Sequence, residues 1–526
     1  MFKIKKSAGV RVTFGVHRRI KKGNTARAQK NWQEAEQHYL SALDKDKSLT
    51  HIWVQVGHMR REMGDRHGAA NAYVTAFLNN TQHEEAHTFT AEYFDSADQD
   101  LQDRAKKILK WRSSDENLSK TVFFDVTDLL LHFWRRRIPT GIQRIQSEVV
   151  FAALEESPTT VGTCVFLSGP KAWVQLPNEL FKSLITTSKH SADPKDPIWQ
   201  AEIEQLRTFL AISGDMPFRH GTCIVSLGSN WSVKNYFQSL ENLKQAYDIK
   251  YIPFIHDLIP TIHPEFCVDK LVSDYNIWIE KIIDHAATFL ANSESTKKDL
   301  QNFISASSRS TQDKGIEVVP LDARLGADTP LPPAGQANSI TLPEKFVLLV
   351  STIEPRKGHL LTAQAWKLLQ EKHGADTPYL VCIGGKGWKA DLFYDYLKRH
   401  KIVSKKIIII HDVSDSLLFD AYRKCLCTVY PSLYEGWGLP VTESLCFGKV
   451  PVVADNSALL ESGGDFAVYF KTNDAADLCR AIEKVTFDNT LRHTLEARIA
   501  SDFKPREWHE LARQILATVA RVSHPD

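Results

Sequence analysis

The 526-residue chain has no Cys-x-x-Cys pair, no apolar run approaching the roughly 18 residues of a membrane span, and almost no excess of either charge. Its cysteines, Cys164, Cys223, Cys267, Cys382, Cys425, Cys427, Cys446 and Cys479, lie mostly in apolar stretches. That excludes a disulfide framework and a zinc site and predicts a reduced, cytoplasmic protein. Lys and Arg number 65 against 63 Asp and Glu, so the net charge of +2 gives no global attraction for nucleic acid, which is not expected as a partner. The stretch from Met1 to Lys22 is basic but lacks the apolar core of a signal peptide, so export by that route is not expected. Hydrophobic residues make up 43% and charged residues 24%, an ordinary globular composition, and at roughly 100–200 residues per domain the length predicts three or four domains.

Residues 23–56 laid over 57–90 superpose Gly23 on Gly57, Ala35 on Ala69, Tyr39 on Tyr73, Ala42 on Ala76 and Leu43 on Phe77. Small residues where helices cross, with an aromatic beside them, resemble tetratricopeptide repeats, in which each helical hairpin buries its face on the next. A third, degenerate unit is expected from Ala91 to about Trp111, carried by Ala105 and Ile108. The alternative is an unrelated helical bundle with coincident spacing. From about Lys120, short apolar runs alternate with amphipathic stretches, the signature of doubly wound parallel sheets. Strands are predicted at Val122–Asp125, Thr163–Leu167, Cys223–Leu227, Tyr251–His256, Thr288–Ala291 and Ile316–Pro320. Beyond a linker, a second set follows at Phe346–Ser351, Tyr379–Ile383, Ile407–His411, Thr428–Tyr430, Val450–Ala454 and Val468–Phe470. The fold class is therefore α/β, with two Rossmann-like domains facing a cleft and an all-α repeat domain before them. Ligands of such sheets bind beyond the carboxyl ends of the strands.

One segment there is unusually informative: Pro431-Ser-Leu-Tyr-Glu-Gly-Trp-Gly-Leu-Pro-Val-Thr-Glu443, between a strand and a helix expected to begin near Pro440. Pro at a helix start, behind Gly436 and Gly438, leaves backbone N–H groups free at a positive helix end, which suits an anion. Glu435 and Glu443, eight positions apart, suit the vicinal hydroxyls of a sugar. Phosphate and polyol together point to a sugar nucleotide.

The segment resembles the E-x7-E motif of retaining GT-B glycosyltransferases of family four, in particular the bacterial mannosyltransferase-type branch. The resemblance covers about residues 119–520 and implies that Glu435 contacts the transferred sugar and Glu443 the ribose hydroxyls, while Gly436, Trp437, Gly438 and Leu439 line the sugar and diphosphate. Ser351-Thr-Ile-Glu-Pro-Arg-Lys-Gly358 follows a strand, where Arg356 and Lys357 can neutralise a diphosphate leaving group, as they do in the family. Thr352 stands where many relatives carry Arg, which leaves open how charge is divided between Arg356 and Lys357. Phe254-Ile-His-Asp-Leu-Ile-Pro260 resembles the loop whose histidine reaches the transferred sugar, so His256 is expected on the sugar or acceptor side with Asp257 orienting it; a structural His-Asp pair is the alternative. Pro139-Thr-Gly-Ile-Gln-Arg144 resembles a loop in which Gly141 approaches the diphosphate, and Gly384-Gly-Lys-Gly-Trp388 is expected to shape the base pocket.

These readings divide the chain into a basic segment (1–22), helical repeats (23–115), an acceptor domain (119–325), a linker (326–343), a nucleotide-sugar donor domain (344–505) and a C-terminal helix packing back across the domains (506–526). The expected activity is metal-independent transfer of a hexose, with retention, from a nucleotide diphosphate sugar to a glycan or lipid-linked glycan in cell-surface polysaccharide synthesis. GDP-mannose is the first donor to test. No metal or other cofactor is expected. The repeats suggest a protein partner. The basic start suggests either an anionic membrane surface, at its inner face, or a solvated tail. The competing reading is a catalytically idle GT-B module on a repeat scaffold that recruits polysaccharide-assembly partners.

Overall fold

The computed structural model describes residues 14–47, 49–79, 83–99, 120–139, 141–191, 193–213, 216–307, 314–324, 341–411 and 413–523. Helices Phe14–Ala28, Trp32–Leu43, Thr50–Glu62, Arg66–Asn79 and Glu84–Tyr93 form the N-terminal region. One contact recurs at the offset of 34: Gly23 lies against the ring of Tyr39, and Gly57 against the ring of Tyr73, so closely that a Cβ would sit within 2.6 and 2.4 Å of the two rings. Tyr39 and Tyr73 are fully buried. The first helix runs straight through position 23, so no element begins there. Residues 1–13, and Ala105 and Ile108 of the degenerate unit, lie outside the described residues.

The first sheet contains β1 (Val122–Asp125), β2 (Val161–Leu167), β3 (Ala172–Leu176), β4 (Cys223–Ser226), β5 (Lys250–Ile255), β6 (Phe289–Ala291) and β7 (Ile316–Val318), in the order β3-β2-β1-β4-β5-β6-β7. The second contains β8 (Phe346–Val350), β9 (Tyr379–Ile383), β10 (Ile407–Ile410), β11 (Thr428–Tyr430), β12 (Pro451–Ala454) and β13 (Val468–Phe470), in the order β10-β9-β8-β11-β12-β13. Among the described strands every pairing is parallel except β2 with β3. Strand β3, Ala-Trp-Val-Gln-Leu, was not foreseen; it is a short edge strand returned by a tight connection, without the helix that marks the other crossovers. Runs such as Phe-Val-Leu-Leu-Val in β8 are apolar almost throughout because helices cover both faces of a parallel sheet.

In each sheet the strand order reverses beside the first strand, between β1 and β4 and between β8 and β11, and ligand crevices of open α/β sheets form at such points. After the second domain the chain crosses back. Arg506 bonds Asp322 at 2.6 Å and the Pro320 carbonyl, and helix Trp508–Ser523 lies on helix Ile142–Glu156, where His509 and Arg513 both engage Glu156. The N-terminal helices are not a loose appendage: Tyr73, Phe77 and Ala86 share one apolar core with Phe133, Trp199 and Phe209 of the first domain.

Candidate active site

The two loops flanking the β8/β11 switch point are knitted together. Gly358, with φ of 70°, sits where a Cβ would lie 2.3 Å from the Pro431 carbonyl oxygen, so only glycine permits the approach. The N–H of Leu433 donates to the Arg356 carbonyl at 2.8 Å. Arg356 then reaches the Tyr434 carbonyl at 2.7 Å, Glu354 at 2.9 Å and Glu435 at 2.8 Å. Lys357 meets the other oxygen of Glu435 at 2.5 Å and the Tyr430 hydroxyl at 3.1 Å. Ser457 accepts the backbone N–H of Glu435. Burial alone would raise the Glu435 carboxyl, but Arg356 and Lys357 hold it down to about 2, so it is ionised. Burial, reinforced by Arg356, pushes Lys357 below its ordinary value, and Arg356 is raised by Glu435 and Glu354 against the effect of burial.

Glu443 belongs to a different network. It lies on helix Leu439–Cys446, which starts one residue before Pro440 behind Gly438. Tyr422 donates to it at 2.6 Å, and Arg144, from the first turn of helix Ile142–Glu156 in the other domain, approaches at 3.5 Å while pairing with Asp415 at 2.9 Å. Burial raises the Glu443 carboxyl, and Arg144 only partly opposes it. Arg144 thus lies across the cleft on a carboxylate of the second domain, a partner that its place in the 139–144 stretch does not reveal.

From the first domain, the His256 ring lies 2.8 Å from the Leu227 carbonyl through Nε2. A carbonyl can only accept, so Nε2 carries the proton and Nδ1 is the acceptor of the neutral ring. Burial lowers the His256 pKa and favours that neutral form. The expectation that Asp257 orients His256 is corrected: the Asp257 carboxylate accepts the N–H of Ile259 instead, closing a tight turn. The Leu227 to Trp231 loop that holds His256 is itself pinned by Asp125 at the end of β1. Asp125 accepts from Thr127, Asn230 and Tyr236, and burial raises its carboxyl to about 6. An acid ending an apolar strand was the signal available for it in the sequence.

The two domains touch at Gly436, where a Cβ would stand 1.8 Å from the His256 carbonyl oxygen. Trp437 is buried, packed with the partly buried Leu439 against the first-domain apolar core, its indole N–H on Thr442. Gly141, with φ of 55°, precedes helix Ile142–Glu156. Gly384 abuts the carbonyl of Ser351, beside Thr352, joining the ends of β8 and β9. The loop beyond it crosses the cleft: Trp388 donates to the Phe266 carbonyl at 2.7 Å and Lys389 to those of Glu265 and Cys267. Among the described residues no grouping of three or more His, Cys, Asp or Glu side chains could hold a metal ion, and no helix is long and apolar enough to cross a membrane.

Residues 335–501 match the family described as Glycosyl transferases group 1. That stretch contains β8 to β13 and with them Arg356, Lys357, Glu435 and Glu443. The chain is 28% identical over 240 residues to the serotype-specific mannosyltransferase WbdA of Escherichia coli, covering 44% of this chain and 29% of that protein. It is 31% identical over 172 residues to the O-antigen chain mannosyltransferase B of Escherichia coli, covering 32% of this chain and 44% of that one. The chain thus spans less than half the length of these relatives. A sucrose-phosphate synthase from Thermosynechococcus elongatus, 14% identical, superposes with a TM-score of 0.50 over 77% of this chain and 99% of its own. The likeness is one of fold, and the fold is GT-B.

Proposed function

We propose that the protein is a retaining glycosyltransferase that moves a hexose from a nucleotide diphosphate sugar to a glycan or lipid-linked glycan acceptor without a metal. The observation that carries this reading is Glu435: a carboxylate held ionised between Lys357 and Arg356 at the switch point, next to Gly436, where the backbone of His256 from the other domain comes close. A negative charge fixed there stabilises the positive charge that develops on the sugar as the nucleoside diphosphate departs. Arg356 and Lys357, released in part from Glu435 by an incoming diphosphate, take up the charge on the leaving group. Neutral His256 offers Nδ1 as acceptor to a sugar hydroxyl, and the leaving phosphate can take the acceptor's proton on the same face. Glu443 and Tyr422 offer hydrogen bonds to ribose hydroxyls. Mannose, with GDP as the carrier, is the first choice because relatives 28% identical over 240 residues and 31% identical over 172 residues are named mannosyltransferases. The N-terminal hairpins are read as tetratricopeptide-like, supported by the repeated Gly-on-Tyr contact.

Incubating the protein with GDP-mannose and with UDP- and dTDP-sugars, without acceptor, tests the proposal. Slow hydrolysis of one donor, abolished in Glu435→Gln, is expected. No hydrolysis of any donor, together with no thermal shift by any nucleoside diphosphate, would favour the idle scaffold instead.

A further inference from the structure

Away from the cleft, the N-terminal region carries a groove of about 680 Å³ between helices Phe14–Ala28 and Trp32–Leu43. His17, Arg18, Lys21, Lys22 and His38 line it, with Glu34 the one acidic side chain. Arg18, Lys21 and Lys22 are exposed, and among the described residues none of the three forms an ion pair. Neighbouring cations are differently employed: Arg19 bonds Ser41, and Arg27 bonds Gln55. The apolar side of the first helix is already spent, since Val16 and Ala26 are buried against the second and third helices with Ile20 packed beside them. This helix therefore has a cationic face and no free apolar one. It can adsorb to a surface through charge, but it cannot lie in a bilayer as an inserted amphipathic helix does.

The distribution of charge along the sequence says what the groove meets. Lys3, Lys5, Lys6, Arg11, Arg18, Arg19, Lys21, Lys22, Arg27 and Lys30 precede the first acidic residue, Glu34. The whole chain carries only +2, so everything beyond that stretch is net negative. An extended anionic plane attracts one end of such a molecule and repels the rest, which fixes orientation as well as attachment. A small soluble anion would need one cationic pocket, not ten cations spread over 33 residues. Because the repeats share a continuous core with the first domain, attachment there holds the whole acceptor side of the cleft relative to the surface.

We infer that this groove, with the exposed Arg18, Lys21 and Lys22 that line it, binds anionic phospholipid headgroups, so that the protein sits peripherally on a membrane through its N-terminal region. The inference does not depend on the donor or on catalysis. Each cation near an anionic surface contributes about 1 kcal/mol, and each 1.4 kcal/mol is tenfold. Neutralising Arg18, Lys21 and Lys22 together is therefore expected to weaken binding on the order of 100-fold.

The test is co-sedimentation of the full chain with phosphatidylcholine vesicles, with and without phosphatidylglycerol, at low and high salt. Sedimentation with the anionic vesicles alone, reversed by salt and lost in the R18Q/K21Q/K22Q variant, is expected. These side chains are solvated, so the variant should keep the melting temperature and donor hydrolysis of the parent, which separates lost binding from lost folding. Three results would overturn the inference: no sedimentation with anionic vesicles, equal sedimentation with neutral ones, or a variant that sediments like the parent. A fourth would replace it: if inorganic phosphate raises the melting temperature of the parent but not of the variant, and vesicles bind neither, the groove is a site for a soluble phosphate compound.

Discussion

Glu435 and Glu443 are the same residue type, eight positions apart, each 7% exposed, yet their surroundings drive them in opposite directions. Two cations contact Glu435 at 2.5 and 2.8 Å from within its own domain, and its carboxyl falls to about 2. Glu443 has a neutral tyrosine at 2.6 Å and a cation at 3.5 Å from the other domain, and burial wins. The spacing of the motif does not distinguish them; their partners do. One is built as a fixed negative charge, which suits a developing cation. The other has its carboxyl raised by burial and a tyrosine hydroxyl beside it, which suits hydrogen bonding to hydroxyls, and its ion pair depends on how the domains meet.

Replacing each with glutamine breaks the comparison most directly. Glu435→Gln should lower turnover on the order of 100-fold or more, because charge is removed where positive charge develops. Glu443→Gln should leave turnover much closer to the parent and weaken the nucleoside diphosphate by about tenfold, since hydroxyl contacts are made in ground and transition states alike. Steady-state kinetics with titration of the nucleotide separates the two. Equal losses of turnover in both variants would mean that the environments do not set the roles.

Acid titration sharpens the same contrast. The folded-state value of Glu435 lies below its unfolded value of about 4.5, so its stabilising contribution is complete above that pH and is lost as pH falls toward 2. A depression of that size is on the order of 3 kcal/mol. Glu443 has the opposite sign: its folded value is raised, so its contribution is full at low pH and declines as pH rises through that value. Urea unfolding between pH 5 and 2 should therefore show a flatter pH dependence in Glu435→Gln than in the parent, and no flattening in Glu443→Gln.

How much of this was readable in the sequence depended on whether a partner was near in the chain or in space. Twelve of the thirteen described strands were legible because parallel strands are short apolar runs with helices between them; β3 was not, being an edge strand with polar Gln175 and a hairpin return. Arg356, Lys357 and Glu435 were legible as residues because each follows a strand at the carboxyl edge of the sheet. Their mutual salt bridge was not, since 78 positions separate them. Asp257 adjoins His256 in sequence and was taken as its partner, but the imidazole turned to a carbonyl 29 positions away and the carboxylate to a backbone N–H. Trp437 sits between two glycines of the motif, yet its size drew it into the apolar contact between the domains. Arg144 and Asp125 carried signals, a basic residue at a helix start and an acid at a strand end, but their distant partners lie across the cleft or in the loop and helix that follow β4.

The two domains come closest to a backbone clash at Gly436, and Gly436→Ala tests whether that approach sets the closed cleft. An added Cβ would stand 1.8 Å from the His256 carbonyl oxygen, which Asn292 also holds by its side-chain amide at 2.7 Å, so the backbone on that side cannot easily yield. Each domain should fold as before while the two stand further apart. The expected loss is about tenfold in kcat/KM, through misplacement of His256 relative to Glu435. Small-angle scattering should show a larger radius of gyration in the variant; an unchanged radius with unchanged kinetics would show that the approach at Gly436 is not what sets the closed state.

The smallest expected effect concerns Glu461. Helix Glu294–Ala306 of the first domain begins at Ser293, whose hydroxyl accepts the N–H of Thr296, but the N–H groups of Glu294 and Ser295 still need acceptors. Glu461, from helix Leu459–Gly463 of the second domain, supplies both, at 2.8 and 2.9 Å. A carboxylate at a helix N-terminus is favoured by the helix dipole, but this one is solvent-exposed, so its worth is about 0.5–1 kcal/mol and falls with salt. Unlike the Glu435 cluster, which lies within one domain, this contact exists only while the domains are closed. Glu461→Gln should therefore leave the unfolding of each domain nearly unchanged but shift the open–closed balance by about two- to fivefold. Fluorescent labels placed on the two domains, read at low and high salt, would measure that shift. The parent should open on adding salt and the variant should respond less; an identical salt response in both would remove Glu461 from the closure.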